Sequence, residues 1–308
     1  MGILCVSVDL DEVRCYHEIH GLGPPAGETA RAVHERALPR ALRFFDDLGL
    51  SGTFFAVGRE LALVPSNASL LRDASGRGHE IANHGFDHRY DLTLLPAADQ
   101  LSEIREGAAA IAAATGIEPR GFRAPGYNVH LGLLDLLDEE GYAYDSSVFP
   151  CPSYQAARAV AIAAKAFRGR ESHSLPGDPR TLLAPTGPYR VGREGAWTRG
   201  DGLLELPITV VTPARLPLIG TSLIMARPFG ASLMARAASR LGFVNLELHG
   251  IDFADAAGDG LGHLAKHQPD LLVPLTKKIA ALRRAIETLL EAGALPLKLS
   301  EAAGRVLL

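Results

Sequence analysis

Cysteine is scarce in this chain, with three residues in 308. Cys5, Cys15 and Cys151 form no spaced ligand set and no framework of paired bridges. That excludes a small disulfide-stapled fold and suits a reducing compartment. Charge of one sign is not in excess either: 31 basic against 35 acidic residues leave a formal charge of −4. Nothing in that balance favours a nucleic-acid partner. No apolar run reaches the ~18 residues of a spanning helix. The stretch Met1 to Val8 is apolar but ends at once in Asp9-Leu10-Asp11. It lacks the basic start and small-residue cleavage site of a secretory signal. It reads as a buried first strand, with the cytoplasm as the expected location. Internal repeats and low-complexity tracts are also missing.

What is present is an ordinary globular composition, 47% hydrophobic and 21% charged, in a chain long enough for a sizeable core. Short apolar runs at Ile3–Val8, Thr53–Val57, His79–Ala82, Gly121–Arg123, Tyr142–Ser146, Leu203–Ile208 and Val244–Leu248 read as strands. Between them, Ala37–Leu48, Leu101–Ala114, Leu131–Leu137 and Leu272–Leu290 carry apolar residues at helical spacing. Alternation of this kind predicts an α/β fold with parallel strands and helical crossovers, and about seven repeats point to a closed or nearly closed barrel. Residues 151–200 break the rhythm with Pro152, Pro176, Pro179, Pro185 and Pro188 among Gly and Ser. They predict a long surface insertion, placed to cover a site, within one domain spanning 1–308.

In such a barrel, chemistry collects where strands end at their carboxyl side. Asp9 and Asp11 follow the first run, two apart, so an extended chain points both the same way. Like charges so close need a cation or a proton between them. One could hold a metal while the other takes a proton from water. His84 and His88 follow the third run, and one helical turn would set both imidazoles on one side. Two imidazoles and a carboxylate suit a divalent first-row metal, zinc first. Arg123 opens an Arg-Ala-Pro-Gly-Tyr turn, where it could orient a carboxylate while turn N–H groups meet an oxyanion. Asp145 ends the fifth run, and His249 ends the last as a candidate general acid, with Asp252 beyond. Each pattern alone has an ordinary structural alternative: a solvated turn, a surface or core histidine, a strand-end carboxylate. All of them falling at one edge of one barrel is a much rarer coincidence.

With these residues on the page, the chain resembles the polysaccharide deacetylases, the NodB-homology group also called carbohydrate esterase family 4. The resemblance runs from about Gly2 to Phe149 and resumes from about Leu203 to Phe253. It implies a distorted (β/α)7-type barrel. It also implies Asp9 as the base, Asp11, His84 and His88 as the metal ligands, and Arg123 as the arginine that steadies the base. The N–H of Gly126 or Tyr127 would help bind the oxyanion, Asp145 would match the fourth motif, and Leu246-x-x-His249 would supply the acid. The departures are Leu10 between the two aspartates, Gly85 where Ser or Thr is usual, and no tryptophan near Asp145. The first resembles the intracellular peptidoglycan-deacetylase-like branch and the deformylases of lipid-linked aminoarabinose.

The implied reaction is metal-dependent hydrolysis of an N-acetyl or N-formyl amide on an amino sugar, soluble or lipid-linked. Residues 215–243 mix Leu216, Leu218, Ile219, Leu223, Ile224 and Phe229 with Arg215, Arg227, Arg236 and Arg240. They are either core plus a solvated helix face or a peripheral membrane contact. A homo-oligomer is compatible with the sequence. Two other readings stand beside this one: a cyclic-amide or ureide hydrolase on the same barrel, and a non-catalytic carbohydrate-binding relative.

Overall fold

Strand and helix alternate from the first residues of the computed structural model, which describes residues 2–167 and 177–306. The strands are β1 (Ile3–Asp9), β2 (Thr53–Ala56), β3 (Glu80–Asn83), β4 (Gly121–Phe122), β5 (Tyr144–Asp145), β6 (Tyr189–Gly192), β7 (Gly195–Glu205), β8 (Val210–Val211), β9 (Leu216–Pro217), β10 (Phe243–His249) and β11 (Leu295–Pro296). The helices are α1 (Val13–His20), α2 (Leu38–Leu48), α3 (Gly58–Leu63), α4 (Pro65–Gly76), α5 (Ala97–Thr115), α6 (Leu131–Glu139), α7 (Pro152–Phe167), α8 (Gly220–Ala238), α9 (Leu275–Glu291) and α10 (Leu299–Val306).

Seven strands run parallel in the order β10-β1-β2-β3-β4-β5-β7. β6 adds antiparallel to β7, and β11 pairs with the start of β1. The result is the expected distorted barrel. Among the described residues β10 and β7 share no ladder, and residues 206–209 bridge the gap between them. The Leu206 N–H donates to the Asp145 carbonyl at 2.8 Å, and the Thr209 N–H to the Asn245 carbonyl at 3.1 Å. The Asn245 amide donates to Ser146 Oγ at 2.9 Å and to the Leu206 carbonyl at 3.1 Å. Backbone groups that a regular strand would have paired are satisfied one by one.

β1 is buried almost throughout, so its period-two pattern separates two interiors. Leu4, Val6 and Val8 join a core with Leu42 and Phe45 of α2, Leu223 of α8, and Leu282 and Ile286 of α9. The other face carries Cys5, Ser7 and Asp9. β10 repeats the division: Val244, Leu246 and Leu248 enter the same core, while Asn245, Glu247 and His249 take the opposite face. The parallel register sets Ser7 beside Glu247 and Asp9 beside His249. The two strands thus deliver a polar file to the barrel's carboxyl end.

The stretch 151–200 is more regular than expected. It contains α7, β6 and the start of β7, which begins at Gly195 rather than Leu203. Residues 168–176, Pro176 among them, lie outside the described residues. Of residues 215–243, Leu218, Ile219, Leu223 and Ile224 are buried, whereas Leu216, Met225, Phe229 and Leu233 are exposed.

Candidate active site

Asp9 closes β1, and its buried carboxylate accepts from Arg123 Nη1 at 2.6 Å. Arg123 is itself wholly buried. Its Nε donates to the Ser146 carbonyl at 2.9 Å, and its Nη2 to Ser146 Oγ at 2.8 Å and Ser7 Oγ at 3.0 Å. Its plane also lies over the Phe55 ring, 4.1 Å from the centroid. With every face engaged, the guanidinium cannot swing, so one oxygen of Asp9 is fixed. Burial pushes the Asp9 carboxyl above its ordinary range, while Arg123 and His84 pull it down.

His84 and His88 come together by a different route from the one expected. Residues 84–88 form a loop, not a helical turn. Gly85 has φ +79° and His88 φ +57°, both left-handed. Glycine at 85 meets that demand without a Cβ penalty. The loop is tied from both sides. Asn83 Oδ1 accepts the Gly85 N–H at 2.9 Å, and Glu103 Oε2 on α5 accepts the Phe86 and Asp87 N–H groups at 3.1 and 2.9 Å. Asp87 itself turns outward to Arg59 at 2.8 Å.

These ties bring Asp11, His84 and His88 into one buried group. Asp11 Oδ1 lies 3.2 Å from His84 Nε2 and 3.1 Å from His88 Nε2. Yet Asp11 Oδ1 and His88 Nε2 have no hydrogen-bond partner. His84 Nδ1 donates to the Arg123 carbonyl at 2.6 Å, which leaves the Nε2 lone pair facing Asp11. Burial by itself would raise the Asp11 carboxyl, but the facing histidines outweigh it and hold it well below the usual carboxylate range. Burial would lower His84, but Asp9 and Asp11 outweigh it and raise it. Buried donor atoms converging without hydrogen-bonding one another, in a field that draws in positive charge, fit a divalent cation.

Across from this group, His249 Nδ1 lies 2.8 Å from Glu247 Oε1, and its Nε2 lies 3.9 Å from Asp11 Oδ2. Glu247 is fully buried and also accepts from the Tyr127 hydroxyl at 3.0 Å. Burial would lower His249, but Glu247 reverses that and raises it well above the ordinary histidine value. The sequence reading missed Glu247. A usable trace was there: a carboxylate in a strand that alternates apolar and polar residues, two residues before His249 and so on the same face.

One expected role changes, and another residue is given its place. The Tyr127 N–H donates to the Ala124 carbonyl at 3.0 Å, so it is not available to an oxyanion. Tyr127 contributes its hydroxyl instead, and Gly126 is the turn residue whose N–H stays a candidate donor. Asp145 lies behind the turn, not in the cavity. It accepts from the Ser147 N–H and hydroxyl at 3.1 and 2.8 Å, and Ser147 Oγ accepts the Ala124 N–H at 2.8 Å. Its role is to brace the turn from beneath. α7 braces it from the other side, where Arg158 Nη1 donates to the Gly126 carbonyl at 2.8 Å.

Asp9, Asp11, His84, Gly126, Tyr127 and His249 face a cavity of about 500 Å³. Tyr154 of α7 and Met225 of α8 form part of its wall. Residues 25–144 match the polysaccharide deacetylase family model. That segment, well under half of the chain, is what resembles the polysaccharide deacetylases. The match includes the loop of His84 and His88 and the turn of Arg123, and stops short of Asp9, Asp11 and His249.

A peptidoglycan deacetylase-like protein of Gibberella zeae is 32% identical over 111 residues, which cover 35% of this chain and 32% of that protein. A peptidoglycan deacetylase of Helicobacter pylori is 25% identical over 148 residues, 47% of this chain and 49% of that protein. The matched region thus spans half or less of these curated relatives. A crystal structure of a Mycobacterium smegmatis protein, described as a polysaccharide deacetylase, superposes with TM-score 0.64 at 20% identity, covering 99% of this chain and 91% of that one. A family 4 carbohydrate esterase pseudoenzyme from Bacillus anthracis superposes at 0.50 and 13% identity, covering 98% of this chain and 65% of that one. These likenesses show the fold. Because a pseudoenzyme shares it, activity must be argued from the side chains.

Proposed function

We propose that this chain is a polysaccharide deacetylase family member that hydrolyses an N-acyl amide, acetyl or formyl, on an amino sugar or a sugar-containing precursor. The observation that carries the reading is the pairing of a cation-fitting group, Asp11, His84 and His88, with two separately oriented proton-handling residues. Asp9 is oriented by Arg123 and His249 by Glu247. A binding module has no use for a base and an acid each held by its own partner.

A divalent cation, zinc first, held by Asp11, His84 and His88 would polarise the acyl carbonyl and acidify water. Asp9 takes the proton of the attacking water on the oxygen that Arg123 leaves open. The Gly126 N–H meets the developing oxyanion, worth about 3 kcal/mol for one such donor. His249, held through Nδ1 by Glu247, delivers a proton from Nε2 to the departing amine. The products are a free amine and acetate or formate.

A lipid-linked substrate is the finer form of this reading. Met225 lines the cavity and is exposed; beyond the break in α8 at Arg227, the exposed Phe229 and Leu233 lie four residues apart on one face. Arg236 and Arg240 beyond them are exposed as well. An apolar stripe with basic neighbours suits contact with an anionic bilayer. No helix among the described residues is long and apolar enough to cross a membrane. A cytoplasmic location belongs to the same proposal, and three buried free thiols suit it.

The deciding experiment is elemental analysis of the purified protein and of a His84→Ala/His88→Ala variant, followed by assay of N-acyl amino sugars for released acid. Near-stoichiometric metal lost in the variant, with release by the wild type alone, is the expected result. A wild type that takes up no metal on reconstitution sinks the mechanism.

A further inference from the structure

Four of the chain's eleven histidines lie outside the candidate active site yet meet across one narrow contact. His17 and His20 sit three apart on α1, and His263 and His267 sit four apart in the segment 261–268. His17 Nε2 lies 2.9 Å from His263 Nε2. One turn further along α1, the rings of His20 and His267 stack with centroids 4.5 Å apart and planes 21° from parallel.

His17 is buried, and its Nδ1 lies 2.5 Å from the Gly23 carbonyl oxygen. A carbonyl can only accept, so Nδ1 carries the proton. In the neutral ring, Nε2 is then an acceptor that takes the His263 Nε2–H at 2.9 Å, a proton that a cation between the two rings can replace. His84 likewise has its Nδ1 on a backbone carbonyl, with Nε2 left to ligate. His263 is exposed, so the pair is open to solvent on one side.

We propose that His17 and His263 form a second divalent-cation site, for zinc or a neighbouring first-row metal. Two nitrogens at ~2.0–2.1 Å from a tetrahedral zinc lie about 3.3 Å apart, a few tenths of an ångström wider than they stand. The exposed His263 can yield by that much. His20 and His267, one step along the same two segments, are the next imidazoles within reach of a shift. Two protein ligands make this site weaker than the Asp11 group.

The site has a structural consequence for the cavity. α1 also carries Tyr16 and Ile19, and Gln268 follows His267; all three line the cavity wall. A cation on His17 and His263 would tie these two parts of the cavity wall together. The site stands whether or not the proposed hydrolysis does, since it uses none of the same residues.

The test is zinc titration of tag-free protein by calorimetry, in a buffer that does not bind metal. The wild type is expected to bind two equivalents of different affinity. His84→Ala/His88→Ala keeps only the weaker one, and zinc still raises its thermal midpoint. His263→Ala, at an exposed position, keeps the tighter equivalent and weakens the other by about tenfold or more. His263→Cys, which restores a ligand, recovers it. A wild type that binds one equivalent alone, or a second equivalent unchanged in His263→Ala, overturns the proposal.

Discussion

Glu247 is the residue whose role is most open to a single decisive substitution. It touches no cavity atom in the way His249 does; it acts through His249, whose Nδ1 it holds at 2.8 Å. Glu247→Gln keeps the shape and a carbonyl acceptor but loses the charge that favours protonated His249. Turnover is expected to fall by about 10²-fold or more, with KM and bound metal little changed. Loss of metal in this variant would show instead that Glu247 is a structural support of the whole site. Asp9→Asn is the complementary case. The amide still accepts from Arg123 and cannot take a proton, so metal stays while turnover falls by about 10²- to 10⁴-fold. Turnover that survives the change would move the base elsewhere.

At the level of elements, the candidate metal group depends on α5 standing close to the loop 84–88. Gly107 on α5 permits it. A Cβ there would lie 2.4 Å from Asn83 Oδ1 and 2.9 Å from the Gly85 carbonyl carbon. Gly107→Ala therefore pushes the helix away from the loop that Asn83 and Glu103 hold. The expected cost is about 1–3 kcal/mol of stability, with metal affinity lowered by about tenfold or more. Thermal unfolding and metal titration of the same variant check both, and an unchanged affinity would separate α5 from the site. α8 carries the second element-scale prediction. Phe229 is 80% exposed, so Phe229→Ser is expected to change stability by less than about 0.5 kcal/mol. Flotation with anionic liposomes should weaken clearly in the variant; wild type that fails to float removes the membrane contact.

For the whole molecule, one buried contributor to the pH dependence of stability lies outside the proposed ligand set. Asp252 accepts the His249 N–H at 2.9 Å and faces the Lys278–Asp270 pair. Burial lifts its pKa from 3.8 to about 7; Lys278 and His249 oppose the rise and Asp270 adds to it. Between those values the carboxyl is protonated in the folded chain and ionised in the unfolded one. Its contribution is therefore full below 3.8 and is lost as the pH rises towards 7. Asp252→Asn abolishes that loss. Urea unfolding should show the variant gaining on wild type between about pH 4 and 7 and level above that, by on the order of 3–4 kcal/mol in all. A difference that does not vary with pH would mean that Asp252 does not titrate in this window.

Local pattern alone determined the alternation of strand and helix, because buried parallel strands leave continuous apolar runs and helices leave a 3.6-residue rhythm. It also located Asp9, Asp11, His84, His88, Arg123 and His249, because reactive residues directly after apolar runs stand out. Tertiary structure decided what those residues touch. The histidines meet through a left-handed loop pinned by Asn83 and Glu103, a contact between distant segments that spacing cannot encode. Tyr127 turns its hydroxyl, not its N–H, towards the site because the Ala124 carbonyl has taken the N–H. Asp145 stays behind the turn because Ser147 holds it there. Glu247 and His249 share a face of β10 by spacing alone, but that face meets Asp9 only because β10 lies in register with β1, and register is fixed by the packing of the whole barrel.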